Sequence, residues 1–228
     1  MNIAIIVAAG RSERFGGNTP KQFLELNGKP VVIHTMLRFE ACPLVDEIIL
    51  VLPVSHKAGF IEIAGKYPLK KLTRIIGGGA SRAESVLNGL KAVRPGSAET
   101  AGIVAVHDGA RPLVTFDEIA ETIKKAEETG AAVLTAPVTD TIKSVSGGEI
   151  RQTIDRNSLR RALTPQCFRY EILKKAYEMA DDISAATDES YLVEKAGYPV
   201  SFVEGSASNI KITTPEDLAL AEFLMKEM

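Results

Sequence analysis

Short unbroken apolar runs alternate with helical repeats along most of the chain. Ile3 to Val7 (IAIIV) is β-branched and apolar at nearly every position, the signature of a parallel strand covered on both faces. The same pattern predicts a helix over 30–39, a strand over 45–52 and a weak helix over 57–66. A short strand over 73–76 follows, then a helix over 81–93 with Val86, Leu87, Leu90 and Val93 at helical spacing. A strand over 103–106 ends at His107-Asp108, an amphipathic helix over 119–128 stops at Gly130, and Ala131 to Ala136 is again apolar. Such alternation predicts an α/β fold, a mostly parallel sheet flanked by helices on both faces. Ligands of these sheets gather at the carboxyl ends of the strands. The loop after Val7, the Gly77-Gly78-Gly79 turn and the His107 to Arg111 segment are all expected at that one edge.

The rhythm changes after Pro137. Thr141 to Val145 and Ile150 to Ile154 bracket Ser146-Gly147-Gly148, a polar, alternating β-hairpin with a glycine turn. Residues 138–166 are predicted to project as an arm that pairs with a second subunit, making a homodimer. Helices over 169–179 and 188–196, a strand over 199–203 and an amphipathic helix over 215–226 complete the chain, with Thr214, Glu216 and Asp217 capping the last helix. Residues 1–228 read as one domain, with no internal repeat.

Composition narrows the function classes. A chain of 228 residues with 45% hydrophobic and 25% charged residues is an ordinary soluble domain with a proper core. A formal net charge of −2 argues against nucleic acid or an anionic membrane as partner, so cations must act in local clusters. Cys42 and Cys167 stand far apart without Cys/His ligand spacing, which predicts reduced structural thiols, no zinc site and no metal bound by the protein itself. The first residues enter a strand directly and no apolar run is long enough to span a bilayer, so a cytoplasmic protein is expected.

The candidate chemistry begins in the first loop, Ala8-Ala9-Gly10-Arg11-Ser12-Glu13-Arg14-Phe15-Gly16-Gly17-Asn18-Thr19-Pro20-Lys21. Ala8, Ala9 and Gly10 let a ligand lie on the backbone, and Arg14 and Lys21 bring positive charge beside it. Neither the P-loop nor the G-x-G-x-x-G spelling is present, which excludes an ordinary ATPase or nicotinamide enzyme. A strand-to-helix turn with solvated cations is the competing reading. Gly77 to Gly79 with Ala80 and Ser85 could read a flat base through the backbone, or be a turn with Ser81 as helix cap. Asp108 at a strand end suits a metal, a bound water or a substrate hydroxyl and Arg111 a phosphate, or the two form a bracing ion pair. His107 reads as structural. Asp140-Thr141 and Asp155-Arg156-Asn157 meet at the root of the arm, followed by Thr164. Thr187-Asp188-Glu189 is a helix start, and Lys211 ends the Asn209-Ile210-Lys211 cluster. So many cations and hydroxyls suit a substrate with several phosphates.

These segments, in this order, resemble the 2-C-methyl-D-erythritol 4-phosphate cytidylyltransferases of non-mevalonate isoprenoid biosynthesis. The resemblance runs nearly end to end, through AAGRSERFGGNTPKQF, GGGASRAESV, VHDGARP, PVTDTIK, TIDRNSLRRALTPQ and VEGSASNIKITTPEDLALAE. It implies a Rossmann-like nucleotidyltransferase fold whose β-arm interlocks two subunits. It further implies that Ala8, Ala9, Gly10, Gly79, Ala80 and Ser85 hold CTP, and that Arg14 and Lys21 grip the triphosphate. Asp108, Arg111, Thr187 and Lys211 would take the methylerythritol phosphate, with Thr164 assisting and Thr141 and Arg156 arriving from the partner's arm; Arg156 and Lys211 join Arg14 and Lys21 as catalytic cations. Mg²⁺ would ride mainly on the CTP phosphates. Two departures stand out: Ala80 where the family commonly has an acid, and Gly109 where it has alanine. A ribitol 5-phosphate or other polyol-phosphate cytidylyltransferase shares this chemistry, and a non-catalytic nucleotide-binding regulatory dimer is the alternative from another class.

Overall fold

The computed structural model describes residues 1–10, 20–93 and 102–226, Lys21 through its backbone alone. The first strand, β1 (Ile3–Val7), pairs in parallel with β4 (Glu47–Leu52) on one side and β6 (Ile103–Asp108) on the other, and β5 (Leu72–Gly77) extends the sheet beyond β4. Between β1 and β4, β2 (Glu25–Leu26) and β3 (Lys29–Pro30) form a tiny hairpin that the apolar pattern did not announce. It closes through Asn27 and Gly28, both at positive φ, the two-residue turn that twists with its strands. From β1 the chain steps outward to β4 and β5, then returns to β6 on the opposite side. That reversal opens a crevice at the carboxyl end of β1, where open α/β sheets take their ligands.

Helices cover both faces. Helices α1 (Val31–Ala41), α2 (Lys57–Ala64) and α4 (Phe116–Thr129) pack Val32, Ile33, Met36, Phe39, Phe60, Ile119 and Ile123 against Ala4, Ile6, Ile48 and Leu50. On the other face α3 (Arg82–Lys91), α5 (Tyr170–Met179) and α6 (Glu189–Lys195) set Val86, Leu90, Leu173, Ala176, Leu192 and Val193 over Ile5, Val51, Val104 and Val106. The alternation along β1 and its neighbours thus sends successive side chains into two separate cores. Helix α4 begins earlier than its apolar repeat because Thr115 and Glu118 make a reciprocal capping box.

The principal difference from expectation lies in residues 160–169. They form β10 (Arg160–Arg169), the one antiparallel member of the seven-stranded sheet, inserted between β6 and β7 (Ala131–Pro137). The stretch assigned to the arm, 138–166, therefore divides. Only β8 (Ile142–Ser146) and β9 (Glu149–Ile154) project as a separate hairpin, and Leu163 to Phe168 are buried in the main sheet. Proline at 165 masked this strand, because its missing N–H breaks a ladder; the sheet accommodates it with a register irregularity between Ala162 and Gln166. Edge strand β11 (Ser201–Glu204) pairs with β7. The last helix, α7 (Pro215–Lys226), is capped through Asp217, which accepts from the Thr213 and Thr214 N–H groups at 2.7 and 2.8 Å.

Candidate active site

Three loops converge where β1, β5 and β6 end. Their backbones fit because side chains are missing: a Cβ on Gly78 would overlap the Ala9 methyl, and one on Gly109 would come within 2.8 Å of the Ala8 methyl. Glycine here serves close approach rather than unusual torsion. The buried Gln22 donates to the Ala8 carbonyl at 2.7 Å and to the Gly10 carbonyl at 3.4 Å. That bond draws the short 3₁₀ turn Lys21–Phe23 back to the first loop, so the Lys21 backbone lies beside Ala8 to Gly10.

The donors of these loops are largely spent inward. Ala8 N–H bonds to Val51 C=O and Gly78 N–H to Leu52 C=O, each at 2.8 Å. Gly79 N–H donates to Ser85 Oγ at 3.1 Å, Ser85 Oγ–H donates to Ser81 C=O at 2.9 Å, and Ala80 N–H donates to Glu84 Oε2 at 2.7 Å. Ser85 is 2% exposed, so it lies beneath the loop and holds its shape rather than standing on the surface. The N–H groups of Gly78, Gly79 and Ala80 are therefore committed within the protein rather than offered to a ligand.

Next to this backbone lies a charge cluster built on Asp108. Its Oδ1 accepts from Arg82 Nε at 3.0 Å, and its Oδ2 faces Lys211 Nζ at 2.8 Å and Arg111 Nε at 3.5 Å. Burial by itself would raise this carboxyl, but Arg82, Lys211 and Arg111 together hold it far below the usual carboxylate range. Arg82 also gives Nη1 to both oxygens of buried Glu189, at 2.9 and 2.7 Å. Burial opposes the charge on Arg82, yet Glu189 and Asp108 push its pKa above the ordinary arginine value. Glu189 is raised by burial, with Arg82 pulling the other way. Three cations face two carboxylates, leaving one positive charge in excess at a rim where Lys211 is 35% exposed.

Beneath Asp108 a neutral histidine braces the strand end. His107 Nε2 bonds to Arg111 C=O at 3.2 Å, which requires Nε2 to carry the proton; Nδ1 then accepts from Thr164 Oγ–H at 3.0 Å, and Thr164 Oγ accepts from Asp108 N–H at 3.2 Å. Burial pushes His107 down to about 3. Arg111 also donates Nη1 to Asn209 C=O at 2.7 Å, and Asn209 Nδ2 donates to Thr164 C=O at 3.0 Å. The Lys211 segment is thereby sewn to the end of β6.

Of the residues singled out from sequence, Asp108, Arg111, Thr164 and Lys211 meet in this cluster, with Ala8, Ala9, Gly10, Gly79 and Ala80 on the neighbouring loops. Thr187 is exposed, one residue before Asp188, the N-cap of α6. Thr141 and Arg156 are also exposed and lie at the foot of the hairpin, where Arg156 Nη1 donates to Thr139 C=O at 2.5 Å. No hydrogen bond or ion pair among the described residues joins either one to the Asp108 cluster. Arg14 and the Lys21 side chain lie outside the described residues. Sequence reasoning gave Arg82, Glu189 and Gln22 no role in the site. Their signal is modest: a charged or amide residue adjoining a glycine-rich or capping segment at a strand end.

The described residues contain no group of three or more His, Cys, Asp or Glu side chains arranged for a metal. Asp108, the carboxylate best placed by topology, is already committed to three cations. The donor set therefore does not fit a magnesium ion held by these side chains.

Across the whole chain the comparison with known proteins agrees with this geometry. The family model for 2-C-methyl-D-erythritol 4-phosphate cytidylyltransferase matches residues 2–227. The chain belongs to this family. It is 45% identical over 230 residues to the 2-C-methyl-D-erythritol 4-phosphate cytidylyltransferase of Syntrophus aciditrophicus, covering 99% of this chain and 96% of that one. Identity to the Clostridium acetobutylicum enzyme of the same name is 44%, covering 100% and 98%. The solved 4-diphosphocytidyl-2C-methyl-D-erythritol synthase of Anaerococcus prevotii superposes with a TM-score of 0.86 at 28% identity, over 99% of this chain and 96% of that one. The family's Rossmann-like nucleotidyltransferase fold is thus the fold of this chain, with β10 as the antiparallel member of its sheet.

Proposed function

We infer that this chain joins CTP to 2-C-methyl-D-erythritol 4-phosphate, giving 4-diphosphocytidyl-2-C-methyl-D-erythritol and pyrophosphate in non-mevalonate isoprenoid biosynthesis. It is a nucleotidyltransferase. The observation that carries the reading is the placement of a net-positive cluster (Arg82, Arg111 and Lys211 around Asp108) directly beside a glycine-lined backbone surface at the switch point of the sheet.

The substrate phosphate is already an anion, so its oxygen can attack the α-phosphorus of CTP in line without a strong general base. The new P–O bond forms as the bond to the β-phosphate oxygen breaks, and pyrophosphate carries away the electron pair. The obstacle is the approach of two anions and the charge on the five-coordinate phosphorus, which cations and oriented dipoles relieve. In our reading Arg14 and Lys21 hold the triphosphate, while Arg111 and Lys211 take the polyol phosphate. Asp108, held ionised, orients those two cations. Ala8 to Gly10 and Gly79-Ala80 bear the nucleotide, with Ser85 shaping the loop beneath it.

Mg²⁺ would enter with CTP as a counter-ion of its phosphates. It supplies charge neutralisation there, and no step is assigned to protein ligands. We also propose that the chain is a single domain that acts as a homodimer in the cytoplasm, with the β8–β9 hairpin as the pairing element. Val145 and Ile150, opposite each other on that hairpin, are 69% and 67% exposed, an apolar pair that a second subunit would cover. Thr141, Arg156 and Thr187 are the residues proposed to complete the polyol site in that assembly.

The test is pyrophosphate release from CTP and Mg²⁺ with methylerythritol 4-phosphate and, separately, ribitol 5-phosphate. Release with the first alone supports the reading. Release with ribitol 5-phosphate alone keeps the chemistry and overturns the substrate. Silence with both, from a folded protein that binds CTP, leaves the regulatory alternative standing.

A further inference from the structure

Glu189 is the charged group at this edge that the reaction does not use. It is fully buried, out of reach of either substrate, yet its two oxygens accept from the Arg82 guanidinium at 2.9 and 2.7 Å. A side chain buried only to bind α3 to α6 has no need of a cation whose other nitrogen ends on Asp108. Charged pairs in the interior also give little net stability over apolar packing of the same shape. We infer that Glu189 is a positioning residue for the polyol-phosphate site, acting through Arg82 and Asp108 on Lys211 and Arg111; the inference rests on the assignment of that site proposed above.

The argument is one of restricted torsions. An aspartate carboxylate turns readily about its last bond, a broad torsion, and Lys211 and Arg111 both pull on Oδ2. Arg82 on Oδ1 supplies the opposing contact that fixes the carboxylate plane and hence where the Lys211 ammonium is held. A free arginine side chain could not do this, because it has four rotatable bonds of its own. Glu189 restricts that freedom by holding Nη1 with both of its carboxylate oxygens. Glu189 is in turn immobilised from two directions. Its N–H donates to Gln166 Oε1 at 3.1 Å, as does the N–H of Ser190, and its Oε1 accepts from Tyr177 O–H at 3.3 Å. Tyr177 O–H lies 3.1 Å from Ala83 C=O as well, so the brace returns to α3. The path from rigid backbone to exposed ammonium is Gln166 and Tyr177, then Glu189, Arg82, Asp108 and Lys211. The hydrogen bonds that shape the nucleotide loop, Gly79 to Ser85 and Ala80 to Glu84, do not pass through it.

The separation gives the test. Glu189→Gln keeps the volume and removes the charge that grips Arg82. Steady-state pyrophosphate release is then measured with each substrate varied in turn. The expected result is a rise in KM for methylerythritol 4-phosphate of about tenfold to a hundredfold, the scale of a misplacement near one ångström, with KM for CTP held within about twofold. Tyr177→Phe, which leaves both charges in place and removes one donor to Glu189, should shift the same KM in the same direction by less. A folded Glu189→Gln protein whose polyol-phosphate KM is unchanged or lowered overturns the inference, and so does a parallel change in both KM values, the mark of a merely structural tie. If Glu189→Gln does not fold, Tyr177→Phe decides by the same criterion. An unaltered chain that is silent with both substrates overturns the functional reading and this inference together; an active chain with flat variants overturns this inference alone.

Discussion

Acid should unfold this protein partly through His107, above the pH at which ordinary carboxylates titrate. The ring is fully buried with both nitrogens engaged, one donating to Arg111 C=O and the other accepting from Thr164. A second proton on Nδ1 would face the hydroxyl hydrogen and sit without solvent. Burial accordingly lowers the group from 6.5 to about 3. For a base whose folded pKa is depressed, the unfolded chain binds more protons between the two values, so stability rises with pH across that window and falls as pH drops below about 6.5. Each unit is worth about 1.4 kcal/mol, so moving from pH 8 to pH 5 should cost roughly 2 kcal/mol through this one side chain. Urea unfolding at pH 8, 6.5, 5.5 and 5 measures the loss in the parent and in His107→Gln. The amide can still accept from Thr164 and donate to Arg111 but has nothing to protonate in this range. The variant should be less stable at pH 8 and lose roughly 2 kcal/mol less than the parent between pH 8 and pH 5. His34 is also lowered by burial and is common to both proteins, so the comparison cancels it. Equal losses in the two proteins would refute the assignment of a neutral, doubly bonded imidazole.

Other expectations follow from the same contacts. Gly78→Ala drives a methyl into Ala9 and to 3.0 Å from Ser85 Oγ; overpacking of this kind costs about 1–3 kcal/mol, and KM for CTP should rise with the displaced loop. Ser85→Ala leaves Gly79 N–H without its acceptor, a loss of about 1–3 kcal/mol visible in thermal unfolding, together with weaker CTP binding by calorimetry. Lys211→Gln should lower kcat/KM for the polyol phosphate by about a hundredfold, and Lys211→Arg should recover part of it; a glutamine variant with parental kinetics removes Lys211 from the reaction. Val145→Lys with Ile150→Lys should leave the monomer folded by circular dichroism and shift sedimentation from dimer to monomer, because both residues are exposed within one chain.

The strand and helix rhythm was readable because the two-faced burial of the sheet leaves unbroken apolar runs such as Ile3 to Val7 and Ile48 to Leu52. Where a local rule competed with tertiary context, reading failed. Strand β10 carries Pro165 and begins with exposed Arg160 and Arg161, so it has neither the composition nor the alternation of a central strand. It is one because it pairs antiparallel with both β6 and β7. The site divides in the same way. Asp108, Arg111 and Lys211 announced themselves as charged residues at strand or loop ends, but Arg82 and Glu189 looked like ordinary first-turn helix charges. Their partners are 26 and 107 residues away from Arg82 along the chain, and no local periodicity encodes such a pairing. Glycine at 109 shows the reverse case: the sequence marks it as a departure, and only the structure shows the Ala8 methyl 2.8 Å from where a Cβ would stand.

That crowding and the charge cluster bear on one question, how an enzyme keeps a cationic site ordered before its anions arrive. Three free cations at one strand end would repel one another and scatter into water. Asp108 prevents this by drawing Arg82, Arg111 and Lys211 to a single carboxylate, and Glu189, itself at 1% side-chain exposure, neutralises Arg82. The remaining positive charge sits at the rim, mostly on Lys211. A phosphate arriving there needs to displace no buried partner; it adds to an ammonium that Asp108 has already aimed. Preorganisation of this kind lowers the reorganisation required at the moment of reaction. It also requires the carboxylate to stay ionised: protonating Asp108 would cost Lys211 its partner while Arg82 kept Glu189 and Arg111 kept the Asn209 carbonyl, and the surrounding cations hold the Asp108 carboxyl far below the usual carboxylate range.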